Sequence, residues 1–180
     1  MTPILKWTLD AIREEDSSFS WMEECRYDWV PIIQRAISKI LDGQTMLVLT
    51  DEPRSWFAKY ISSNINNQNH RPFLPVYTLK SMFPSLDKMN RTEELDLLED
   101  MLEISYPNGY FIWYIGSADS IYTKFVFRND ENLLWIIDGD VHNSFYLRDG
   151  STSLDIKLIQ LFKLFNKTID ASLFNDLSLD

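Results

Sequence analysis

MLVLTDEPRSWFAKY, residues 46–60, is the stretch on which the fold turns. An apolar run ends at Thr50, the chain turns at Asp51-Glu52-Pro53, and Trp56, Phe57 and Tyr60 follow at helical spacing. A buried strand that feeds a helix is the repeating unit of α/β proteins, and its turn commonly seats a phosphate or nucleotide. Such a turn needs glycines, so that the backbone can wrap the anion, and free N–H groups at the helix start. Between Gly43 and Gly109 there is no glycine at all. Asp51 or Glu52 is placed to cap the helix, with Pro53 removing one N–H from its first turn. The positive end of the helix is then answered by carboxylates, which repel an incoming phosphate. The turn reads as closed.

Working outward, further β-rich apolar runs fall at 73–79, 110–115, 133–137 and 144–147, which makes five strands with 46–50. Ahead of 110–115 lies RTEELDLLEDMLEIS, with Leu95, Leu98, Met101 and Leu102 on one helical face and acids on the other. Strands alternating with helical segments predict a parallel sheet covered on both faces, a three-layer α/β sandwich. Two extra helices precede it. Ile4, Leu5, Thr8, Ala11 and Ile12 form one apolar stripe; Val30, Ile33, Ile37, Ile40 and Leu41 form a second, with Pro31 fitting a first helical turn and Gly43 just past the end. Four of the five glycines follow Asp or Asn, as turns and helix ends require. No repeat, low-complexity tract or linker divides the chain, so 1–180 reads as a single domain.

Composition narrows the function. The 180 residues are 45% hydrophobic, enough for one full core. The net charge of −10, from 27 acids against 17 bases, opposes both nucleic acid and anionic membrane surfaces. No window is apolar enough to span a bilayer, and the first residues lack the basic-then-apolar pattern of a signal peptide. Cys25 is the only cysteine, so no internal disulfide forms and a reducing, cytoplasmic setting is expected.

Candidate chemistry is thin. WIIDGDVH, residues 135–142, places Asp138 and Asp140 around a glycine at a strand end, where paired carboxylates can hold Mg²⁺. The spacing also occurs in haloacid-dehalogenase-type phosphatases, but there the motif sits on an early strand; an Asp-Gly turn between two strands is the simpler reading. His70 and His142 share no spacing rule and, with one cysteine, assemble no zinc site. Cys25 lies in WMEECRYDW beside acids that raise a thiol pKa, so it reads as a packed small hydrophobe. The aromatic run 110–115 has no interleaved base and reads as core. No catalytic, cofactor or metal residues are assigned.

SLDIKLIQLFKLFNKTIDASLF, residues 153–174, is apolar over most of its circumference, with Lys157, Gln160, Lys163 and Lys167 as a narrow polar stripe. A helix apolar nearly all round is buried on two sides. A subunit interface is the leading account; an internal helix covered by the N-terminal pair is the alternative.

DGQTMLVLTD, RSWFAKYISSN, HRPFLPV, the Trp135 strand and SLDIKLIQLFKLF, in this order, resemble the HobA family of replication-initiation proteins. The resemblance implies a flavodoxin-like fold similar to the sugar-isomerase (SIS) domain, with a five-stranded parallel sheet, and relates the chain to the adaptor DiaA. It implies a cytoplasmic homotetramer, a dimer of dimers, that acts without catalysis or cofactor. Such a tetramer engages the N-terminal domain of the initiator DnaA and promotes its ordered assembly at the origin. The second reading is an SIS-type enzyme or sensor of sugar phosphates, whose loops after the strands are rich in Ser and Thr; TDEPRS at the first such loop disfavours it. The DiaA branch presents a Leu-Phe pair near its C-terminus to the initiator. Leu173 and Phe174 resemble it and, rimmed by Asp170, Asn175 and Asp176, form the expected partner-binding site: Leu173, Phe174 and Asp176.

Overall fold

Strand β2, Thr45–Thr50, has all six residues buried, as a continuous apolar run bounded by turns requires. In the computed structural model, which describes residues 1–150 and 153–179, it lies inside a five-stranded parallel sheet. The others are β3 (Val76–Thr78), β4 (Tyr110–Ser117), β5 (Leu133–Ile137) and β6 (Ser144–Leu147), in the spatial order β3-β2-β4-β5-β6. Counting sheet strands alone, that order is 2-1-3-4-5, the flavodoxin-like arrangement expected. Register is set by Leu47 opposite Ile112 and Tyr114 opposite Leu134. The strand order reverses between β2 and β4, which makes their C-terminal ends the topological switch point.

The stretch Asp42–Leu147 forms one compact unit, in which helices pack on both faces of the sheet. On one face, Leu47, Leu49, Ile112, Tyr114, Leu134 and Ile136 meet residues of three helices: α4 (Leu79–Met82), α5 (Thr92–Ser105) and α6 (Thr123–Val126). On the other, Trp113 stands edge-on to Trp135 with ring centroids 4.8 Å apart, and Phe57 of α3 (Ser55–Asn64) lies 6.3 Å from Trp135. The period-two alternation of the strands thus sends Ile112, Tyr114, Leu134 and Ile136 to one side and Trp113 and Trp135 to the other. The expected strand over 73–79 is shorter. Val76–Thr78 pairs at the sheet edge and Leu79 already opens α4. Met101, expected on the buried face of α5, is exposed; only Leu95, Leu98 and Leu102 point inward.

The second unit joins Met1–Leu41 to Arg148–Asp180. It contains β1 (Thr2–Pro3), α1 (Ile4–Glu14), α2 (Met22–Leu41), α7 (Leu154–Leu173) and β7 (Leu177–Ser178), and both α1 and α2 pack on α7. Helix α2 begins well before Pro31, which lies in its interior and not in a first turn. The ring is tolerated because Pro31 and Tyr27, whose carbonyl loses its usual N–H partner, are both on exposed positions. Trp29, Val30, Ile32 and Ile33 around the break are buried and hold the two halves in line. Helix propensity is overridden by packing. An interior proline disfavours a helix by about 3 kcal/mol relative to alanine, and part of that is offset because proline also restrains the unfolded chain. Pro31→Ala is therefore expected to raise the unfolding free energy by about 2 kcal/mol in urea titration. A loss of stability would show instead that packing around Trp29 needs the break.

Candidate partner-binding surface and the strand-end crevice

At the switch point the crevice is occupied by the protein's own side chains. Asp51, the residue after β2, sends its N–H to the carbonyl of Ile115 at 3.3 Å. Its Oδ2 accepts the N–H of Ser117, the last residue of β4, at 2.8 Å. The hydroxyl of Tyr114 donates to the Ser117 carbonyl, also at 2.8 Å, so both main-chain groups at this strand end are taken by side chains. Burial holds the Tyr114 phenol well above its ordinary pKa, with Asp51 adding to the shift, so it remains a donor. Arg54 Nε lies 3.5 Å from Asp51 Oδ1 and balances the buried carboxylate.

Gly116 makes this approach possible. A Cβ there would sit 2.6 Å from the Tyr114 hydroxyl and 2.8 Å from Cγ of Asp51. It is the one glycine that follows neither Asp nor Asn, inside an otherwise apolar strand. That is the sequence signal for a close approach. Ser117 and Tyr114 carry no comparable signal.

The expected helix cap is not formed. Asp51 and Glu52 leave the start of α3 uncapped: Asp51 reaches across to β4, and Glu52 pairs with Lys80. The carboxylates stand at the turn as expected, but they answer a strand end and a lysine. Beside them, between β2, β3 and α3, opens a cleft of about 460 Å³ lined by hydroxyls including Ser55, Ser62, Thr78 and Ser81. Ser62 and Thr78 bond each other at 2.8 Å across it.

The remaining flagged residues are not brought together. Asp138 adopts a left-handed φ of 52° and donates its N–H to the Leu147 carbonyl at 2.9 Å. The Asp-Gly stretch does turn between two strands, yet β5 and β6 are parallel, so it is no hairpin. A Cβ on Gly139 would strike Ala118, which explains that glycine without a metal. Among the described residues no group of three His, Cys, Asp or Glu could hold a metal ion. Cys25 is half-buried, and burial first, then Asp28, pushes its thiol pKa up, opposite to what a nucleophile needs.

Helix α7 does not present its whole apolar girth. Leu158, Leu161, Phe162, Leu164, Phe165 and Ile169 are buried in the single chain, so the internal-helix alternative accounts for most of them. Ile156 alone among its large hydrophobics is strongly exposed, at 58%, beside a groove of about 210 Å³ that Phe19, Ile159 and Lys163 also line.

The C-terminal end is stopped rather than frayed. Asn175, in the left-handed region at φ 60°, donates to the Ser172 carbonyl at 3.4 Å, and the Asp176 N–H reaches the Ala171 carbonyl at 2.8 Å. These two bonds are the Schellman stop, with asparagine in the place glycine usually takes. Immediately beyond, Leu177–Ser178 pairs in parallel with Thr2–Pro3. Pinned on both sides, Leu173 is half-buried while Phe174, 49% exposed, and Asp176 face outward. An apolar centre with an acidic rim, held by main-chain bonds, is suited to a protein contact.

The fold is thus a flavodoxin-ordered α/β sheet in which Asp51 and Tyr114 pair the main-chain groups of Ser117 at the switch point. A profile of the HobA family, described as DNA replication regulators, matches residues 1–179. The chain belongs to that family. It is 29% identical to the DNA replication regulator protein HobA of Helicobacter pylori over 96% of this chain and 97% of that protein. It is also similar to HobA in a crystal structure of a HobA–DnaA (domain I–II) complex from Helicobacter pylori, with a TM-score of 0.77 and 26% identity over 99% of each chain. A crystal structure of HobA from the same organism gives 0.75, also at 26% identity and 99% of each chain.

The strand-end lock makes an energetic prediction. Asp51→Ala leaves the Ser117 N–H and Arg54 without the carboxylate and is expected to cost about 1–3 kcal/mol of stability. Gly116→Ala is expected to be at least comparably costly because its Cβ displaces both the Tyr114 hydroxyl and Asp51, and less costly, though not neutral, in the Asp51→Ala background, where only the Tyr114 clash remains. A double-mutant cycle in urea should show coupling of at least about 1 kcal/mol; simple additivity would separate Gly116 from Asp51.

Proposed function

We propose that this chain is a non-catalytic, cytoplasmic adaptor that binds the N-terminal part of DnaA and promotes its ordered assembly at the replication origin. The observation that carries the reading is the end-to-end likeness, 99% of both chains, to HobA solved in complex with DnaA domain I–II. The closed switch point supports it over the SIS-type sugar-phosphate alternative, because the crevice such a ligand would enter holds Asp51 and Ser117. The hydroxyl-lined cleft beside it has Ser62 and Thr78 bonded to each other and Lys80 paired with Glu52.

The contact we assign to the initiator is Leu173, Phe174 and Asp176. Its support is the exposed phenyl ring on a rigidly stopped helix end with acids around it. A homotetramer acting as one domain per chain would present this patch in several copies, and multivalency would then raise avidity for initiators clustered at the origin without new contacts. Exposed Ile156 on α7 is the residue by which we test self-association, since Leu161 is core and its substitution would unfold the helix.

Titration calorimetry with DnaA domain I–II tests the reading. The wild type is expected to bind, and Leu173→Ala with Phe174→Ala to bind at least about tenfold more weakly, some 1.4 kcal/mol, at an unchanged melting temperature and mass. Absence of binding by the wild type would overturn the adaptor reading. Undiminished affinity in the double variant would remove the pair from the contact. Light scattering of Ile156→Glu is expected to show a smaller particle than wild type; a wild-type monomer would remove the oligomer.

A further inference from the structure

Helix α5 is apolar on two faces, only one of which the sheet uses. Leu95, Leu98 and Leu102 are buried. Leu97, Met101 and Ile104, spaced i, i+4 and i+7, are 62%, 48% and 82% exposed. At 100° per residue these three lie on one line along the helix, spanning about 10 Å. Exposed leucines scattered singly are ordinary, whereas a helical stripe of three is the form an anchor surface takes.

The charges beside the stripe say what kind of partner fits. Thr92–Ser105 contains six acids and no lysine or arginine. Three of the six are engaged: Glu94 with Arg91, and Asp96 and Glu99 with Arg128. Glu93, Asp100 and Glu103 form no ion pair among the described residues, and helical geometry puts all three along one flank of the stripe. A second copy of this helix, docked about a two-fold axis, would set these carboxylates against their own equivalents. An anionic membrane or a nucleic acid meets the same repulsion.

We infer that the outer face of α5 is a second docking surface, for an amphipathic helix of a protein partner with apolar residues at i, i+4 and i+7 and Lys or Arg along one flank. The surface belongs to the unit Asp42–Leu147, and the inference stands whether or not Leu173 and Phe174 contact the initiator. Charge complementarity sets orientation and encounter rate, and the three apolar anchors supply the burial.

The probe is a short fluorescein-labelled synthetic helix with leucine at i, i+4 and i+7 and lysine on one flank, compared with a peptide of the same composition in scrambled order. Anisotropy is expected to show the patterned peptide binding at least about tenfold more tightly than the scrambled one, with affinity falling as salt rises. Leu97→Ser with Ile104→Ser, and separately Asp100→Lys with Glu103→Lys, are each expected to lose at least about tenfold at an unchanged melting temperature. Equal binding of the two peptides, or undiminished affinity in either variant, would overturn the inference. A smaller particle for the serine variant in light scattering would also overturn it, reassigning the stripe to a contact between copies of this chain.

Discussion

The bond from the Ser117 N–H to the carboxylate of Asp51 is the constraint on which the site's architecture depends. Parallel α/β sheets leave main-chain groups unpaired at the carboxyl ends of their strands, and at a switch point the neighbouring loops diverge and expose them. Most such folds answer with a ligand. Here the aspartate just after β2 answers for β4, a glycine lets it come close, an arginine balances its charge and a tyrosine takes the remaining carbonyl. An unmet N–H in that position would cost on the order of 1–3 kcal/mol, so the arrangement stabilises the fold while filling the crevice.

With Asp51 and Tyr114 committed at that strand end, the partner surfaces proposed above lie on helices. We propose one on each compact unit. The helical unit ends α7 with a Schellman stop and a two-residue parallel pairing, so that Phe174 is held outward on a fixed backbone. The sheet unit carries the acidic, apolar outer stripe of α5. In the adaptor role proposed above, the free energy of binding would come from burying a few apolar anchors with the correct charge beside them.

Much of this was legible from residues 46–60 and their neighbours. The five strands follow from β-rich runs bounded by turns, and the alternation of strands with helices gives the parallel sheet. Legibility failed where a local rule met tertiary packing. Pro31 reads as a helix start, yet buried residues on either side carry α2 through it. Asp51 reads as a cap because capping is a local rule, while its partner is 66 residues away. In α7 the hydrophobic pattern reports burial but not which neighbour provides it, and Leu158, Leu161, Phe162, Leu164, Phe165 and Ile169 are already covered within the chain. Met101 reads as inward because helical spacing allows it either face, yet it is exposed. At the site, Phe174 was visible as an exposed aromatic near a helix end, but the left-handed Asn175 that fixes it was not.

The most direct test of the filled crevice is amide hydrogen exchange at Ser117, read by NMR in the wild type with and without millimolar glucose 6-phosphate. Ser117 is at a strand end, where exchange would ordinarily be fast; held by Asp51, its N–H is expected to be protected like the interior of β4 and to be indifferent to the sugar phosphate. Fast exchange in the free protein that slows when the sugar phosphate is added would contradict the account, because it would mean the crevice is open and made for a ligand.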